Sequence, residues 1–456
     1  MMKQELLNKY NVAVPRYTSY PPANFFTETF DAVSYRNAII ASNEQQPQHI
    51  SFYIHIPFCF KMCHYCGCNA ILMQNKNVVS EYMDAVKREI EMVLPLLDHN
   101  RKISQIHYGG GSPTSQPVSA LREINEMLIS GFTTIDQPEI AIECHPGYLD
   151  EQYWLDLIDA GFNRLSLGIQ DFNEDVLKTV NRKPSKMPVE QIASLLRSKG
   201  IALNMDFIYG LPQQTPQSFA DTISKAIDMQ PDRLVTFSYA HVPWVNPKMA
   251  ILEQAGLPDP VQKNNLYETA RQLLTSAGYC TVGLDHFVRP NDELYIAQQN
   301  KNLHRNFQGY CTRRTTGQVY AFGVTGISQL STAYSQNIKD LKSYIEKVNA
   351  GELPVLKGYT LNREEQITRE VITSLMCNYH IEWADIAQHL ETNIEEIKSS
   401  LHYNDTILRT FANDGIIDYN SDYISILPEA TPFVRNVAAS LDKLMINTDK
   451  QFSKVG

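Results

Sequence analysis

Between Ile50 and Tyr239 the chain repeats one pattern six times. A short run rich in β-branched and aromatic residues is followed by a longer stretch with apolar residues at helical spacing. Strands that alternate with helices pair in parallel, because each helix carries the chain back to the same edge of the sheet. The strands read as Ile50–Ile56, Ile103–Tyr108, Glu139–Glu143, Arg164–Gln170, Ile201–Ile208 and Leu234–Tyr239. Helical faces are marked by Tyr82, Val86, Ile90 and Val93, by Leu121, Ile124 and Leu128, and by Phe219, Ile223 and Ile227. Gly161 and Gly200 supply C-terminal stops, and Thr215-Pro216 supplies a cap and a first-turn proline. Eight such units would close a barrel. Six predict an α/β partial barrel, (βα)6 and TIM-like, whose open mouth other segments must cover. Polar and glycine residues collect at the C-terminal ends of the strands, where parallel architectures build their sites.

Around this unit, residues 1–48 read as an N-terminal arm with a helix, 49–245 as the partial barrel, 246–360 as an extension covering the active site, and 361–456 as a helical C-terminal domain. Within the last, Gly415–Ile426 reads as a hairpin after helices, a winged-helix-like order. No basic recognition helix accompanies it, and a net charge of -10 argues against nucleic-acid binding. The N-terminal residues are polar, and no apolar run is long enough for a membrane span. A cytoplasmic protein is expected. Cys144, Cys280, Cys311 and Cys377 are scattered singly, as small buried residues of a reducing compartment are.

The other four cysteines fall within ten residues, Cys59 to Cys68, directly after the first strand. Cys59, Cys63 and Cys66 have a 3-then-2 spacing that brings three thiolates to three corners of one [4Fe-4S] cube and leaves one iron open. A structural zinc site would want tetrahedral closure, usually from two separated pairs. Here the sulfurs are crowded, and Cys66-Gly67-Cys68 is tight for two ligands of one ion. The second strand ends in Gly109-Gly110-Gly111-Ser112-Pro113-Thr114, where the backbone can approach a ligand closely. Glu143 ends the third strand, where a carboxylate can hold ribose hydroxyls or an ammonium group.

This cysteine loop, set after the first strand of a βα repeat, resembles that of the radical S-adenosylmethionine (SAM) enzymes. PRYTSYP, CFKMCHYCGC, GGGSPT, RLSLGIQDFN, DFIYGLP, DHFVRPNDEL and LHRNFQGY, in this order, resemble the oxygen-independent coproporphyrinogen III oxidase family from about Tyr10 to Ser453. The resemblance implies a radical SAM fold, a [4Fe-4S] cluster and two SAM molecules. The methionine amino and carboxylate groups of one SAM chelate the open iron, and an electron cleaves its sulfonium to give a 5'-deoxyadenosyl radical. By motif position, Tyr53, Gly110, Glu143 and Ile327 are implied to contact the cluster-bound SAM. Tyr65, Gly111, Ser112, Gln170, Arg182, Asp206 and Ala240 are implied to contact the second. His55, Phe307, Gln308 and Cys68 are implied to belong to the active site. The chain departs from the family pattern in Tyr65 for Phe, Ser112 for Thr, and Cys144-His145-Pro146 for Val-Asp-Pro.

The implied reaction is decarboxylation of two propionates of coproporphyrinogen III to vinyls, giving protoporphyrinogen IX. The implied partners are that substrate and a flavodoxin- or ferredoxin-type reductant, with the chain a monomer. Anionic propionates need cations, and Arg16, Arg289 and Arg305 are expected to bind them from their loop contexts. Two rivals share the architecture: a haem-degrading radical SAM methyltransferase and a non-enzymatic haem chaperone. Chaperone relatives typically lack a cysteine two residues after the cluster loop, so Cys68 argues against that reading.

Overall fold

The computed structural model describes residues 4–244, 246–312 and 317–452. Ser453 and the expected domain limits at residues 1, 245 and 456 lie outside the described residues. The six expected strands are present: β1 Ile50–Ile56, β2 Lys102–Gly110, β3 Thr133–Cys144, β4 Arg164–Gln170, β5 Ala202–Tyr209 and β6 Arg233–Ser238. They pair in chain order and in parallel. β3 runs farther back than the pattern suggests. Its first half carries Asp136, Gln137 and Pro138, Gln137 has φ 53, and the register against β2 shifts there. A bulge interrupts alternation and hides a strand from sequence reasoning.

The sheet continues past both edges of this unit. β7 Cys280–Val282 and β8 His286–Val288 extend it antiparallel beyond β6. β9 Gln318–Phe322 pairs with the free edge of β1 and is a seventh parallel strand. β10 Ile327–Gln329, β11 Ala333–Asn337 and β12 Val355–Thr360 then add antiparallel. The order among the described residues is β12-β11-β10-β9-β1-β2-β3-β4-β5-β6-β8-β7. The sequence marks only the glycine-rich turn Gly323–Ser328. That turn joins β9 to β10, and it is anchored by buried Glu89, which accepts from the Gly323 amide at 2.8 Å and from Asn337 Nδ2 at 2.7 Å.

Crossover helices bury their apolar faces on the sheet: Lys76–Val93, Val118–Ser130, Glu151–Asp159, Val189–Ser198 and Pro216–Asp228. The last opens with a capping box between Thr215 and Ser218, worth about 1 kcal/mol. Gly161 (φ 90) and Gly200 (φ 69) end helices in the left-handed region, as their sequence positions predict.

A second core gathers residues from Ile367 to Leu441, built on helix Arg363–Asn378. Its strand His380–Glu382 joins the expected hairpin, Ile417–Tyr419 with Tyr423–Ile426. The arm holds two helices rather than one, Gln4–Tyr10 and Ala32–Ala41, and it divides between the two cores. Phe30, Tyr35 and Ile39 pack with the sheet, whereas Tyr10, Tyr17 and Tyr20 pack with the C-terminal helices. The Tyr17 and Tyr20 hydroxyls donate to buried Asp442 at 2.9 and 3.1 Å. Arg435 donates to the carbonyls of Val14 and Pro15. Among the described residues no helix is long and apolar enough to cross a membrane.

Candidate active site

The cysteine loop leaves the C-terminal end of β1 and is fixed by backbone bonds. Ile71 N donates to Pro57 O at 2.7 Å and Met73 N to Cys59 O at 2.8 Å. Neighbouring segments pin its far side: His64 N donates to Val180 O at 3.0 Å, Asn181 Nδ2 to Met62 O at 2.8 Å and Asn246 Nδ2 to Cys66 O at 2.8 Å. All the cysteines are free thiols. Cys59 is pushed up to about 12 by burial and by the adjacent Cys66 and Cys63. Cys66 is drawn down to about 6, chiefly by its hydrogen bond with Cys68.

The donor set fits a cube. No three His, Cys, Asp or Glu side chains among the described residues are gathered as ligands of a single ion. Cys59 nevertheless lies in the field of both Cys66 and Cys63, as three ligands of one cluster require. The glycine run seats directly beneath them. A Cβ on Gly111 would stand 3.0 Å from Cys59 Sγ and only 2.2 Å from Pro57 O, so a side chain there would force the loop away.

On the β1–β3 side, alternation points Tyr53, His55, His107, Gly109 and Glu143 into the mouth. Tyr53 Oη lies 3.2 Å from His55 Nδ1, and its ring stacks on His107 at 6.0 Å. His107 Nε2 reaches Glu143 Oε1 at 3.3 Å. Gly109 leaves room for both, since a Cβ there would meet Glu143 Oε1 at 2.8 Å and Tyr53 Oη at 3.0 Å. Gly110 has φ 120 and abuts His55, where a Cβ would meet Cε1 at 2.9 Å. Burial holds His55 below its usual range, and Nε2 lies 3.0 Å from Asn69 O. Cys68 is accessible, is hydrogen-bonded to Cys66 and also feels the charge of Glu143, and burial, Glu143 and Cys68 together push Tyr53 up. Glu143 keeps 46% of its side chain accessible, which leaves a carboxylate facing the mouth.

On the β4–β5 side, Arg182 is the hub. Its Nη1 donates to Tyr65 Oη at 3.1 Å and approaches Cys63 Sγ at 3.6 Å, while Nη2 donates to Gly168 O. Gly168 admits this guanidinium and the Gln170 amide, which a Cβ would meet at 2.8 and 3.0 Å. Gln170 has φ 73, and its Oε1 is buried with no hydrogen-bond partner. Asp206 accepts from Ser166 at 2.8 Å and is raised to about 6 by burial. Ser112 is buried beside Thr114. Ala240 follows β6 and opens the segment whose Asn246 holds the cysteine loop. Phe307 and Ile327 pack on one small core, with Phe307 edge-on to Tyr334 at 5.9 Å. The neighbouring Gln308 Oε1 is a second buried, unpartnered amide oxygen. Gln329 Oε1 and Asn436 Oδ1 are further buried amide oxygens of this kind, and each can accept from a water, an ion or a ligand.

Arg16 and Arg305 also reach this end. Arg16 lies in the field of Asp285, Arg305 and Tyr209, the last residue of β5. Arg305 stacks over Tyr310 at 4.8 Å. The expectation for Arg289 is corrected by the fold. It follows β8, which runs antiparallel and sets Val288 level with Arg233, the first residue of β6. Its Nε donates to Pro231 O at 3.2 Å and its guanidinium lies over Tyr279, at the opposite end of the sheet. Sequence reasoning missed His107. Counting by twos back from Gly109 would have placed it inward.

A profile of the Radical SAM superfamily matches residues 53–226. Oxygen-independent coproporphyrinogen III oxidase of Synechocystis sp. is 37% identical, covering 98% of this chain and 96% of its own. That of Escherichia coli is also 37% identical, covering 99% and 97%. The solved structure of coproporphyrinogen III oxidase from Escherichia coli, a radical SAM enzyme, superposes with a TM-score of 0.88 at 35% identity, covering 97% of this chain and 99% of that one. The order of motifs, the three-thiol loop and this end-to-end likeness agree, and the chain belongs to the oxygen-independent coproporphyrinogen III oxidase family of radical SAM enzymes.

Proposed function

We propose that this chain converts coproporphyrinogen III to protoporphyrinogen IX without oxygen, in porphyrin and haem biosynthesis. Each of two propionates becomes a vinyl by losing one hydrogen atom, one carbon dioxide and one electron. The observation that carries this reading is the full-length likeness to the family, with the Cys68 thiol lying in the field of Glu143 and Tyr53.

A [4Fe-4S] cluster and SAM supply the hydrogen-abstracting radical when bound. Cys59, Cys63 and Cys66 would hold the cluster, and the glycine run keeps the backbone close beneath it. Tyr53, Gly110, Glu143 and Ile327 would hold one SAM, with Glu143 oriented by His107 at 3.3 Å. Tyr65, Gly111, Ser112, Gln170, Arg182, Asp206 and Ala240 would hold a second. These side chains match the groups of SAM, with a guanidinium for a carboxylate, a carboxylate for ribose hydroxyls and an unpaired amide oxygen for a donor. His55, held below its usual range by burial and tied to Tyr53, shapes the space in which Cys68 works. Phe307 and Gln308 close the mouth from the extension, where apolar packing excludes water. Arg16 and Arg305 are the cations for propionates. The electron that would cleave SAM comes from a flavodoxin- or ferredoxin-type carrier, the electron that each propionate loses passes to a separate electron acceptor, and the protein acts as a cytoplasmic monomer.

Anaerobic reconstitution with iron and sulfide, followed by mass spectrometry with coproporphyrinogen III, SAM and reductant, tests the reading. Two successive losses of mass equivalent to formic acid are expected. Methylated tetrapyrrole, or haem binding without turnover, would replace it with one of the two rival activities.

A further inference from the structure

Four cations gather at the C-terminal ends of β5 and β6. Arg16 is exposed, and among the described residues it makes no hydrogen bond or ion pair. Three further cations surround it. Lys263 packs its stem against Gly210, directly after β5, and donates Nζ to Tyr239 O at 3.0 Å, directly after β6. Arg305 donates to Tyr310 Oη at 3.3 Å and leaves its buried Nε without a partner. Arg435 comes from the C-terminal helix Val434–Leu441 and is drawn down to about 10 by burial and by Arg16. Lys263 is lowered in the same way, by burial and then by Arg16. Among the described residues, Asp285 is the one carboxylate whose charge acts on both Arg16 and Arg305, and it is already paired with His286 at 2.7 Å.

Arg16 is held in this position from both sides. The residues before it, Val14 and Pro15, are bound by Arg435, and Tyr17 after it is bound by Asp442. Tyr17 has φ 48, an uncommon backbone state for an aromatic residue that costs of order 1 kcal/mol or more unless its surroundings impose it. The clamp thus presents a guanidinium that makes no hydrogen bond or ion pair of its own among the described residues. Like charges crowded in a partly enclosed site repel until an anion joins them.

We infer that Arg16, Lys263, Arg305 and Arg435 form a cationic socket for a ligand with several carboxylates, assembled jointly by the arm, the barrel and the C-terminal helices. On the function proposed above, the socket anchors propionates of coproporphyrinogen III, and the arm is a fixed part of the binding wall. Lys263 and Arg435, far apart in sequence and lying on helices, enter the substrate site only through this assembly.

The reconstituted full-length enzyme, without SAM, is titrated with coproporphyrin III, the stable aromatic form carrying four carboxylates. Free porphyrin is measured after ultrafiltration. Arg16→Gln and Lys263→Gln are each expected to weaken binding about tenfold, with Arg16→Lys recovering part of the loss. The KM for coproporphyrinogen III rises in parallel while kcat changes less than about twofold. The tetramethyl ester binds wild type and variants alike. Arg289→Gln, at the other end of the sheet, binds as wild type does. Unaltered binding by Arg16→Gln and Lys263→Gln in an enzyme that still converts coproporphyrinogen III would overturn the socket alone. Absence of both binding and turnover in the wild type would overturn the socket and the function together.

Discussion

The two ends of the parallel strands treat charge in opposite ways. At the N-terminal end the strong charges are answered. Arg233 makes a two-pronged pair with Asp292 at 2.7 and 3.0 Å, and Glu139 accepts from Arg164 at 2.7 Å and from Gln105 at 2.7 Å. Burial alone would raise the Glu139 carboxyl, but Arg164 and Arg233 hold it down to about 2. At the C-terminal end, Arg16 makes no hydrogen bond or ion pair among the described residues, Glu143 is half accessible, and Asp206 sits at about 6 with one hydroxyl donor. Gln170 and Gln308 carry orphaned oxygens there. The strands are the same, so the difference lies in what each end is for. One end is completed by the chain itself, and the other waits for ligands. Arg289 illustrates how easily the two are confused in sequence. It is an arginine in an aromatic, polar loop, yet it belongs to the completed end.

Substitutions should separate the ends by what they damage. The largest effect is expected for Cys59→Ala, which on the proposed assignment removes one ligand of the cluster. Iron content and the cluster absorption fall with it, and turnover drops below detection. A variant that kept a full cluster would break the assignment of the C-terminal end. Gln170→Ala comes next. Losing an unpaired amide oxygen leaves the fold intact but weakens SAM binding by roughly tenfold, read by equilibrium dialysis, because no internal partner is lost. Glu139→Gln should instead damage stability and leave SAM binding alone. Its carboxyl is held at about 2 in the fold against an ordinary value of 4.5, so the unfolded chain takes up its proton first. The stabilisation, roughly 3 kcal/mol from that difference, is therefore full above about pH 4.5 and is lost as pH falls towards 2. Urea unfolding should show the variant weaker at pH 7 and the gap closing near pH 3. The smallest effect is predicted for Arg289→Ala, whose KM and kcat stay within about twofold of wild type. A raised KM would erase the distinction between the ends.

Much of this was legible in the chain. The six central strands follow from alternating apolar runs, and β1 and β4 fall on the residues that the pattern marks. The cluster loop is legible because its spacing is local. What escaped depends on contacts far apart in sequence. β9 is a five-residue strand, and only its pairing with β1 makes it part of the parallel set. Lys263 and Arg435 lie on ordinary helices and gain meaning from Arg16, hundreds of residues away in the case of Arg435. The arm looked like a separate element because its aromatic residues, Tyr10, Tyr17 and Tyr20, find their core only in the C-terminal helices. Asp442→Ala would release that clamp and should raise the KM for coproporphyrinogen III without loss of the cluster.

The account rests on dividing the cysteine loop into three thiols that hold a cluster and one, Cys68, that works beside Glu143 and Tyr53. Electron paramagnetic resonance of the reduced Cys68→Ser variant, read together with its turnover of coproporphyrinogen III, tests that division directly. A wild-type cluster signal with turnover reduced by roughly 100-fold or more is predicted. Loss of the cluster signal, or a normal signal with normal turnover, would contradict it.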